Sequence, residues 1–168
     1  MKRFVLILLL LVLFSSLVYA HYAPTATVYT GSDLVFLSSS LWPSFVVGGE
    51  LSILSFSFSD WILSLPFRFE NTTASMEKYG TRTMERGKIK VGIGGEYRKK
   101  PFFMALYLYG GITEYRGLGE IGSEYTLSLS PGITVNDHLA FVFPLEYNYS
   151  NFNPSFSLKA GIRIGGSI

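Results

Sequence analysis

From residue 61 onward, apolar and polar residues alternate along the chain with a period of two. In the first segment Trp61, Leu63 and Phe67 share one face, and Ser64 and Arg68 share the other. Successive side chains of a β-strand point to opposite faces, so each such segment predicts a strand with one apolar and one polar face. A helix is disfavoured, because residues three or four positions apart repeatedly change class. The strands predicted in this part of the chain cover residues 61–70, 88–98, 102–115, 121–135, 139–149 and 155–165.

Two more strands are predicted upstream, and the expected fold is therefore an all-β, eight-stranded, up-and-down antiparallel barrel. Residues 45–58 alternate with a slip of phase near Ile53 and Leu54, and one extra residue there predicts a β-bulge. Residues 28–38 are expected to form the first strand, with the Leu-Trp-Pro sequence at 41–43 in the loop that follows it. Short turns are expected at 59–60, 98–101 and 136–137, and longer connections at 71–87, 116–120 and 150–154.

The apolar faces carry too much volume to fill the inside of an eight-stranded barrel. The six strands from residue 61 place 30 large apolar or aromatic residues on these faces, whereas a packed eight-stranded core holds about a dozen in roughly three layers. The opposite faces consist mainly of Gly, Ser, Thr and Ala with a few charges, which fit a narrow lumen. The sequence therefore predicts a transmembrane β-barrel with lipid outside and a polar lumen. Aromatic residues near the strand ends are expected to form interfacial girdles: Trp61, Tyr97, Tyr115, Tyr125, Tyr147 and Tyr149.

The first twenty residues are typical of a secretory signal peptide. Two basic residues at 2–3 precede an apolar run at 4–14, and small residues lead to an expected cleavage site after Ala20. The domains are thus a signal peptide at 1–20 and a barrel domain at 21–168. The chain has 14 Lys+Arg and 12 Asp+Glu, and cleavage removes two bases, so 12 charges of each sign remain. This balance argues against nucleic acid as a partner, and the absence of cysteine excludes disulfides and thiol chemistry.

With these features the chain resembles the small eight-stranded outer-membrane β-barrel proteins, the class that contains the OmpA membrane domain and OmpX. The resemblance covers residues 28–168 and rests on the strand pattern, the strand count and the signal peptide, without a diagnostic motif. It implies an integral protein of the cell outer membrane, expected to be a monomer. The implied partners are the lipid bilayer, lipopolysaccharide and the outer-membrane assembly machinery.

No catalytic, metal or cofactor site is predicted, and we expect no enzyme activity. A resemblance to the lipid A deacylases of this class would require a His-x-Ser pair on a strand and a nearby Glu. The candidate in this chain is His138-Leu139-Ala140, which has alanine in the place of the nucleophile, and His21 lies in the N-terminal tail. The glycine-rich sequence at 92–95 lacks the following helix that a phosphate-binding loop requires, and glycine on a lumen face saves space.

The polar faces carry charges of both signs away from the strand ends. A charge inside a narrow barrel is unfavourable unless it is paired. Counting from the turn at 59–60, with one residue absorbed by the bulge, sets Glu50 opposite Arg68, and counting from the loop after residue 150 brings Glu146 within about one residue of Lys159. We therefore predict these two ion pairs in a closed, plugged lumen; the alternative is that the charges extend toward the ends of a wet lumen. The predicted lumen set is Glu50, Arg68, Glu146, Lys159, Lys90, Glu96, Glu124 and Arg163.

The expected connection at 71–87 is the longest, and two interpretations of it stay open. It is either a surface patch for lipopolysaccharide phosphates, a receptor or a partner protein, or a solvated mobile loop without a specific partner. The favoured function is structural, envelope-anchoring or adhesive. The alternatives are a membrane-lipid acyl hydrolase or acyltransferase, and a soluble periplasmic or secreted barrel that binds apolar ligands. The charged residues of this predicted surface loop are Glu77, Lys78, Arg82, Glu85 and Arg86.

Overall fold

The computed structural model describes residues 21–37, 40–76, 82–116, 119–150 and 154–165, which form a closed antiparallel β-barrel. Each of the eight barrel strands pairs with the next one along the chain, and the last, at residues 155–165, pairs with the first, at residues 25–35, which closes the ring. The signal peptide predicted at 1–20 lies outside the described residues. The strands are β1 (His21–Tyr22), β2 (Thr25–Leu37), β3 (Ser40–Phe58), β4 (Trp61–Met76), β5 (Arg82–Lys99), β6 (Phe102–Arg116), β7 (Glu120–Asn136), β8 (Leu139–Val142), β9 (Leu145–Ser150) and β10 (Ser155–Gly165).

These ten segments make up eight barrel strands, as predicted. β8 and β9 form one strand, because both pair with β7 and β10 and only Phe143 and Pro144 separate them. Proline has no backbone N–H and interrupts the ladder there. β1 continues β2 in the same way, since it pairs with β3 at His21. In the described part of the chain no helix has the length and apolarity needed to cross a membrane.

The predicted bulge is present in β3. Leu51 pairs with Phe67 and Leu54 pairs with Leu65, so β3 contains one residue more than β4 between the two pairs. As a result Ile53 and Leu54 both face outward, and the alternation resumes on the other phase. The bulge therefore preserves a mainly apolar outer face of β3 from Phe45 to Phe58.

The two faces of the barrel differ as the volume argument predicts. Outward-facing side chains such as Phe102 and Leu158 are each 62% exposed, whereas inward-facing Lys90 and Glu124 are at most 1% exposed. The expected girdle residues are also exposed on the outer face, with the exception of Tyr115. That assignment was wrong, because residue 115 falls on the inward phase of β6 and its ring is buried in the lumen.

The start of the barrel differs from the prediction in two respects. The first barrel strand begins at His21 with β1 and continues from Thr25 with β2, rather than beginning at residue 28. Residues 41–43 belong to β3, where they pair with residues 34–36 of β2. The expected loop at 41–43 is therefore wrong. The sequence signal is weak here because the polar residues Thr30 and Ser32 face outward, so the apolar outer pattern of β2 is interrupted.

The predicted connection at 71–87 is also wrong in its extent. Asn71 pairs with Gly87, and pairing continues to Met76 opposite Arg82, so only residues 77–81 lie between β4 and β5. The outward positions become polar beyond Phe69, which removes the apolar alternation although backbone pairing continues. Long polar strands therefore resembled a loop in the sequence.

Glycines on the lumen face make room for aromatic rings on neighbouring strands. Tyr109 lies directly opposite Gly92, and a Cβ atom on that glycine would be 2.5 Å from the Tyr109 ring. Tyr29 lies between Gly48 and Gly161 in the same way. These glycines save space, as predicted for the 92–95 segment, and the space is occupied by particular tyrosine rings.

Candidate functional site: the charged lumen

Twelve charged side chains are buried in the described part of the lumen, six of each sign. All eight lumen residues singled out from the sequence are among them. The other four, Asp33, Glu70, Arg86 and Lys88, extend the same inward phases of β2, β4 and β5. The twelve are Asp33, Glu50, Glu70, Glu96, Glu124, Glu146, Arg68, Arg86, Lys88, Lys90, Lys159 and Arg163.

Arg68 is the centre of the lumen network. Its Nη2 atom is 2.7 Å from Glu50 Oε2, and its Nε atom donates to the same oxygen at 3.0 Å. The two residues are directly opposed on β3 and β4, as the sequence predicts. The guanidinium also contacts Glu146 across the lumen and lies over the Tyr109 ring, 4.0 Å from its centroid. Tyr109 in turn donates its hydroxyl to Glu50 at 2.7 Å.

Lys159 joins two acids of different strands. Its ammonium contacts both Glu146 and Glu70, and Glu70 also accepts the Tyr29 hydroxyl at 2.9 Å. The predicted contact between Glu146 and Lys159 is present, but the offset is larger than the expected one residue. Glu146 lies opposite Ser157, so the lysine reaches it diagonally, two positions further along β10.

A second cluster lies on the side of the lumen nearer to the connections at 38–39, 77–81, 117–119 and 151–154, which we call the loop end. Lys90 Nζ is 2.6 Å from Glu124 and 3.5 Å from Glu70, and thereby links the two clusters. Lys88 lies between Glu124 at 3.0 Å and Asp33 at 3.4 Å. Arg86 donates to Asp33 at 3.0 Å.

The opposite end, which we call the turn end, is formed by the turns Ser59–Asp60, Lys100–Pro101 and Asp137–His138. In its lumen Glu96 contacts both Arg163 and Arg98. Outside the lumen, Lys100 contacts Asp137 and so ties two turns together.

The ion pairs cross the lumen as well as following its wall. Arg68 on β4 and Glu146 on β9 stand on diametrically opposite strands of the eight-membered ring, as do Glu96 on β5 and Arg163 on β10. A buried charge without a partner is strongly unfavourable, so these contacts hold side chains across the centre of the barrel. The six acids and six bases buried in the described lumen thus balance one another.

The predicted surface-loop set is divided by the structure. Glu77 and Lys78 lie outside the described residues, and Arg82 begins β5. Glu85 is exposed on the outer face of β5. The assignment of Arg86 to a surface loop is wrong, because residue 86 falls on the inward phase of β5 and is only 2% exposed. Continuing the alternation of Lys88 and Lys90 by one step would have placed it correctly.

The candidate for catalysis has alanine, not serine, two positions after its histidine. His138 is exposed in a turn, with its Nδ1 atom 3.1 Å from the carbonyl oxygen of Gly165, and Ala140 faces the lumen. His21 pairs through its backbone with Ser57 of β3. Across the described ranges, no three His, Asp or Glu side chains are grouped so that they could hold a metal ion.

Comparison with solved structures places this barrel among small outer-membrane barrels. Neisserial surface protein A superposes with a TM-score of 0.58 at 12% identity, covering 86% of this chain and 97% of that protein. Ail, the attachment invasion locus protein of Yersinia pestis, gives 0.58 at 11% identity, covering 86% and 99%. The outer membrane enzyme PagL gives 0.58 at 8% identity, covering 83% and 98%. No family model matches the chain, and no curated protein matches its sequence.

The fold and the lumen together define the class of this protein. It is a membrane-spanning β-barrel of the small eight-stranded outer-membrane type, with an apolar exterior and a charged interior. The predicted resemblance is confirmed at the level of the fold, and at these identities the likeness extends to the fold alone.

Proposed function

We propose that this protein is a non-conducting barrel of the bacterial outer membrane with a structural or adhesive role. The observation that carries the proposal is the set of ion pairs that cross the lumen, with Arg68 reaching Glu146 and Glu96 reaching Arg163. A pore needs a continuous path for water, and side chains held across the diameter by opposite charges oppose one. The chain then acts through its outer surface and its ends.

The part of the barrel best suited to contact a partner is the projecting hairpin, which we define as residues 71–76 of β4 and 82–87 of β5. Its outward residues Asn71, Thr73 and Glu85 are exposed and polar, so it continues beyond the apolar band that ends at Phe69. Ser44 pairs with Ala74 and Glu85 pairs with Arg116, so the hairpin leaves the barrel wall beyond these two pairs. We propose that this end of the hairpin reaches the aqueous layer beyond the lipid.

The charges near this hairpin favour some partners over others. Arg116 lies 3.9 Å from both Glu85 and Glu114, and all three side chains are about half exposed. Two carboxylates around one guanidinium give this described group of three side chains a net negative charge, which disfavours sulfated polysaccharides. Ail has been solved in complex with the heparin analogue sucrose octasulfate, at a TM-score of 0.54. We propose that this barrel differs from Ail in that respect.

Four further properties concern the membrane contacts, the assembly, the oligomeric state and the chemistry of the barrel. We propose that the apolar band contacts the bilayer and the acyl chains of lipopolysaccharide, that the assembly machinery inserts the chain, and that it is a monomer without enzyme activity. Incubation of the protein with lipopolysaccharide or phospholipid, followed by mass spectrometry of the lipid, tests whether it lacks enzyme activity. Loss or gain of an acyl chain would replace the structural role by a lipid-modifying one.

Planar bilayers test the plug directly. The wild-type protein is expected to show no steady ion conductance, because ion pairs cross its lumen. A double variant with Arg68→Ala and Glu146→Ala removes one pair that crosses the lumen, and its conductance is compared with that of the wild-type protein. Lys100→Ala, which breaks the exposed pair with Asp137 outside the lumen, is the matched control and is expected to stay closed. Steady conductance of the wild-type protein would refute the proposal.

Accessibility on cells tests the surface role. A peptide tag inserted between Tyr79 and Gly80 extends the projecting hairpin and is expected to bind antibody on intact cells. A tag in the Ser59–Asp60 turn is the matched control and is expected to react only after permeabilisation. The reverse pattern would invert the orientation, and extraction of the protein by carbonate would overturn the membrane location.

A further inference from the structure

Two polar atoms stand out in the lumen because their neighbours are so completely hydrogen-bonded. Within the described residues, Thr72 Oγ1 and Arg86 Nε are the buried side-chain atoms that lack a hydrogen-bond partner. Thr72 is 1% exposed and Arg86 is 2% exposed. Buried polar groups without partners are rare, and each one calls for a physical explanation.

The two atoms belong to the same place in the barrel. Thr72 on β4 and Arg86 on β5 are directly opposed across the strand pair, and both side chains face the lumen. Directly opposed residues have Cβ atoms about 5 Å apart. Two unpartnered atoms that occur side by side are explained most simply by one occupant that binds both.

The chemistry of the two atoms restricts what that occupant can be. Arg86 Nε carries a hydrogen and must donate, so the occupant must accept, which excludes a cation. The Thr72 hydroxyl can either donate or accept. Arg86 already uses its Nη2 atom for Asp33, at 3.0 Å, so its Nε atom is left for a second partner.

The local charge balance decides between a neutral molecule and an anion. The loop-end cluster contains Arg86, Lys88 and Lys90 against Asp33 and Glu124, and Lys90 joins it to Glu70 at 3.5 Å. The buried charges of the described lumen are six bases and six acids. An anion would therefore add an uncompensated charge to a buried set that is already neutral. We infer that a single water molecule is bound between Arg86 Nε and Thr72 Oγ1, at the base of the projecting hairpin. This inference is independent of the proposed structural role.

A crystal structure of the purified mature protein, grown in sodium bromide, tests the inference. We expect one solvent peak within about 3.5 Å of both atoms, without anomalous signal from bromine. Thr72→Ser keeps the hydroxyl and is expected to keep the peak, whereas Thr72→Val keeps the shape, removes the hydroxyl and is expected to lose it.

Each other outcome overturns the inference. A direct hydrogen bond from Arg86 Nε to Thr72 Oγ1 with no solvent peak would show that the pair is self-sufficient. A bromine signal at the position would identify an anion site instead. A peak that persists in Thr72→Val would show that Thr72 does not hold the molecule. If the valine variant does not fold, the wild-type and serine crystals still decide between water, anion and direct contact.

Discussion

Removal of the Arg68 guanidinium is the perturbation whose effect the structure predicts most directly. Arg68→Met keeps a long side chain but removes the charge, and Glu50 then retains the Tyr109 hydroxyl, at 2.7 Å, as a hydrogen-bond donor. The substitution also removes the contact with Glu146 and the stacking of the guanidinium on Tyr109. Breaking a buried ion pair from one side destabilises a protein by about 3–5 kcal/mol. We expect a loss of free energy of unfolding in that range.

The assay is equilibrium unfolding of the barrel in lipid vesicles with urea, followed by tryptophan fluorescence. Lys100→Met is the matched control, because its pair with Asp137 is exposed and should contribute little to the free energy of unfolding. The double variant Glu50→Gln with Arg68→Met removes both charges of the opposed pair. It is expected to be more stable than the sum of the single effects predicts, by about 0.5–3 kcal/mol.

Two results would refute this reasoning. If Arg68→Met changes the free energy of unfolding by less than about 1 kcal/mol, the lumen charges are solvated and the plug does not depend on pairing. If the two single effects simply add in the double variant, Glu50 and Arg68 are not coupled. Either outcome would contradict the geometry of the Arg68–Glu50 contact.

Three further predictions follow from individual contacts. A closed barrel should resist detergent until heated, so boiled and unboiled samples should migrate differently on a gel, and equal migration of membrane-extracted protein would contradict closure. Gly92→Ala should lower the free energy of unfolding by about 1–3 kcal/mol, because its Cβ would clash with the Tyr109 ring. Gly110→Ala is the control and should be tolerated, because its Cβ would lie 3.8 Å from the nearest ring. Equal effects of the two substitutions would exclude the steric cause. The Lys100 ammonium holds the pKa of Asp137 below its usual value. Their contact therefore stabilises the fold above the unfolded-state pKa of Asp137, and this stabilisation is lost as pH falls through the lowered pKa of the folded state. Lys100→Met should raise the pKa of Asp137 in an NMR titration, and an unchanged pKa would exclude the contact.

The strands from residue 61 onward could be predicted because lipid imposes one strict requirement on them. The outward positions of these strands within the bilayer are mostly apolar, so the alternation is strong, and even the one-residue slip upstream near Ile53 is visible. The total volume of the apolar side chains, too large for the lumen, then indicated that the apolar face is outside. The opposed pair of Glu50 and Arg68 followed from the short turn at 59–60, since a short turn sets the register of its hairpin.

The requirement ends where the barrel leaves the lipid, and prediction failed there. Beyond Phe69 the outward residues are polar, so β4 and β5 resembled a loop and Arg86 was misplaced. Contacts across the lumen, such as Lys159 with Glu70, lie between strands that are not neighbours. Their partners depend on side-chain reach and barrel diameter rather than on register, and spacing along the chain does not encode them.

The seam between β2 and β10 has a consequence for how the barrel is assembled. Asp33 on β2 supplies the partner of Arg86 on β5, and Lys159 on β10 supplies a partner of Glu70 on β4. An open sheet that has not yet joined its first strand to its last therefore holds half-paired charges on the face that will become the lumen. Joining the seam completes the backbone ladder and neutralises those charges in a single event. Insertion of this chain is consequently expected to be all-or-none, with little accumulation of partly closed intermediates in the membrane.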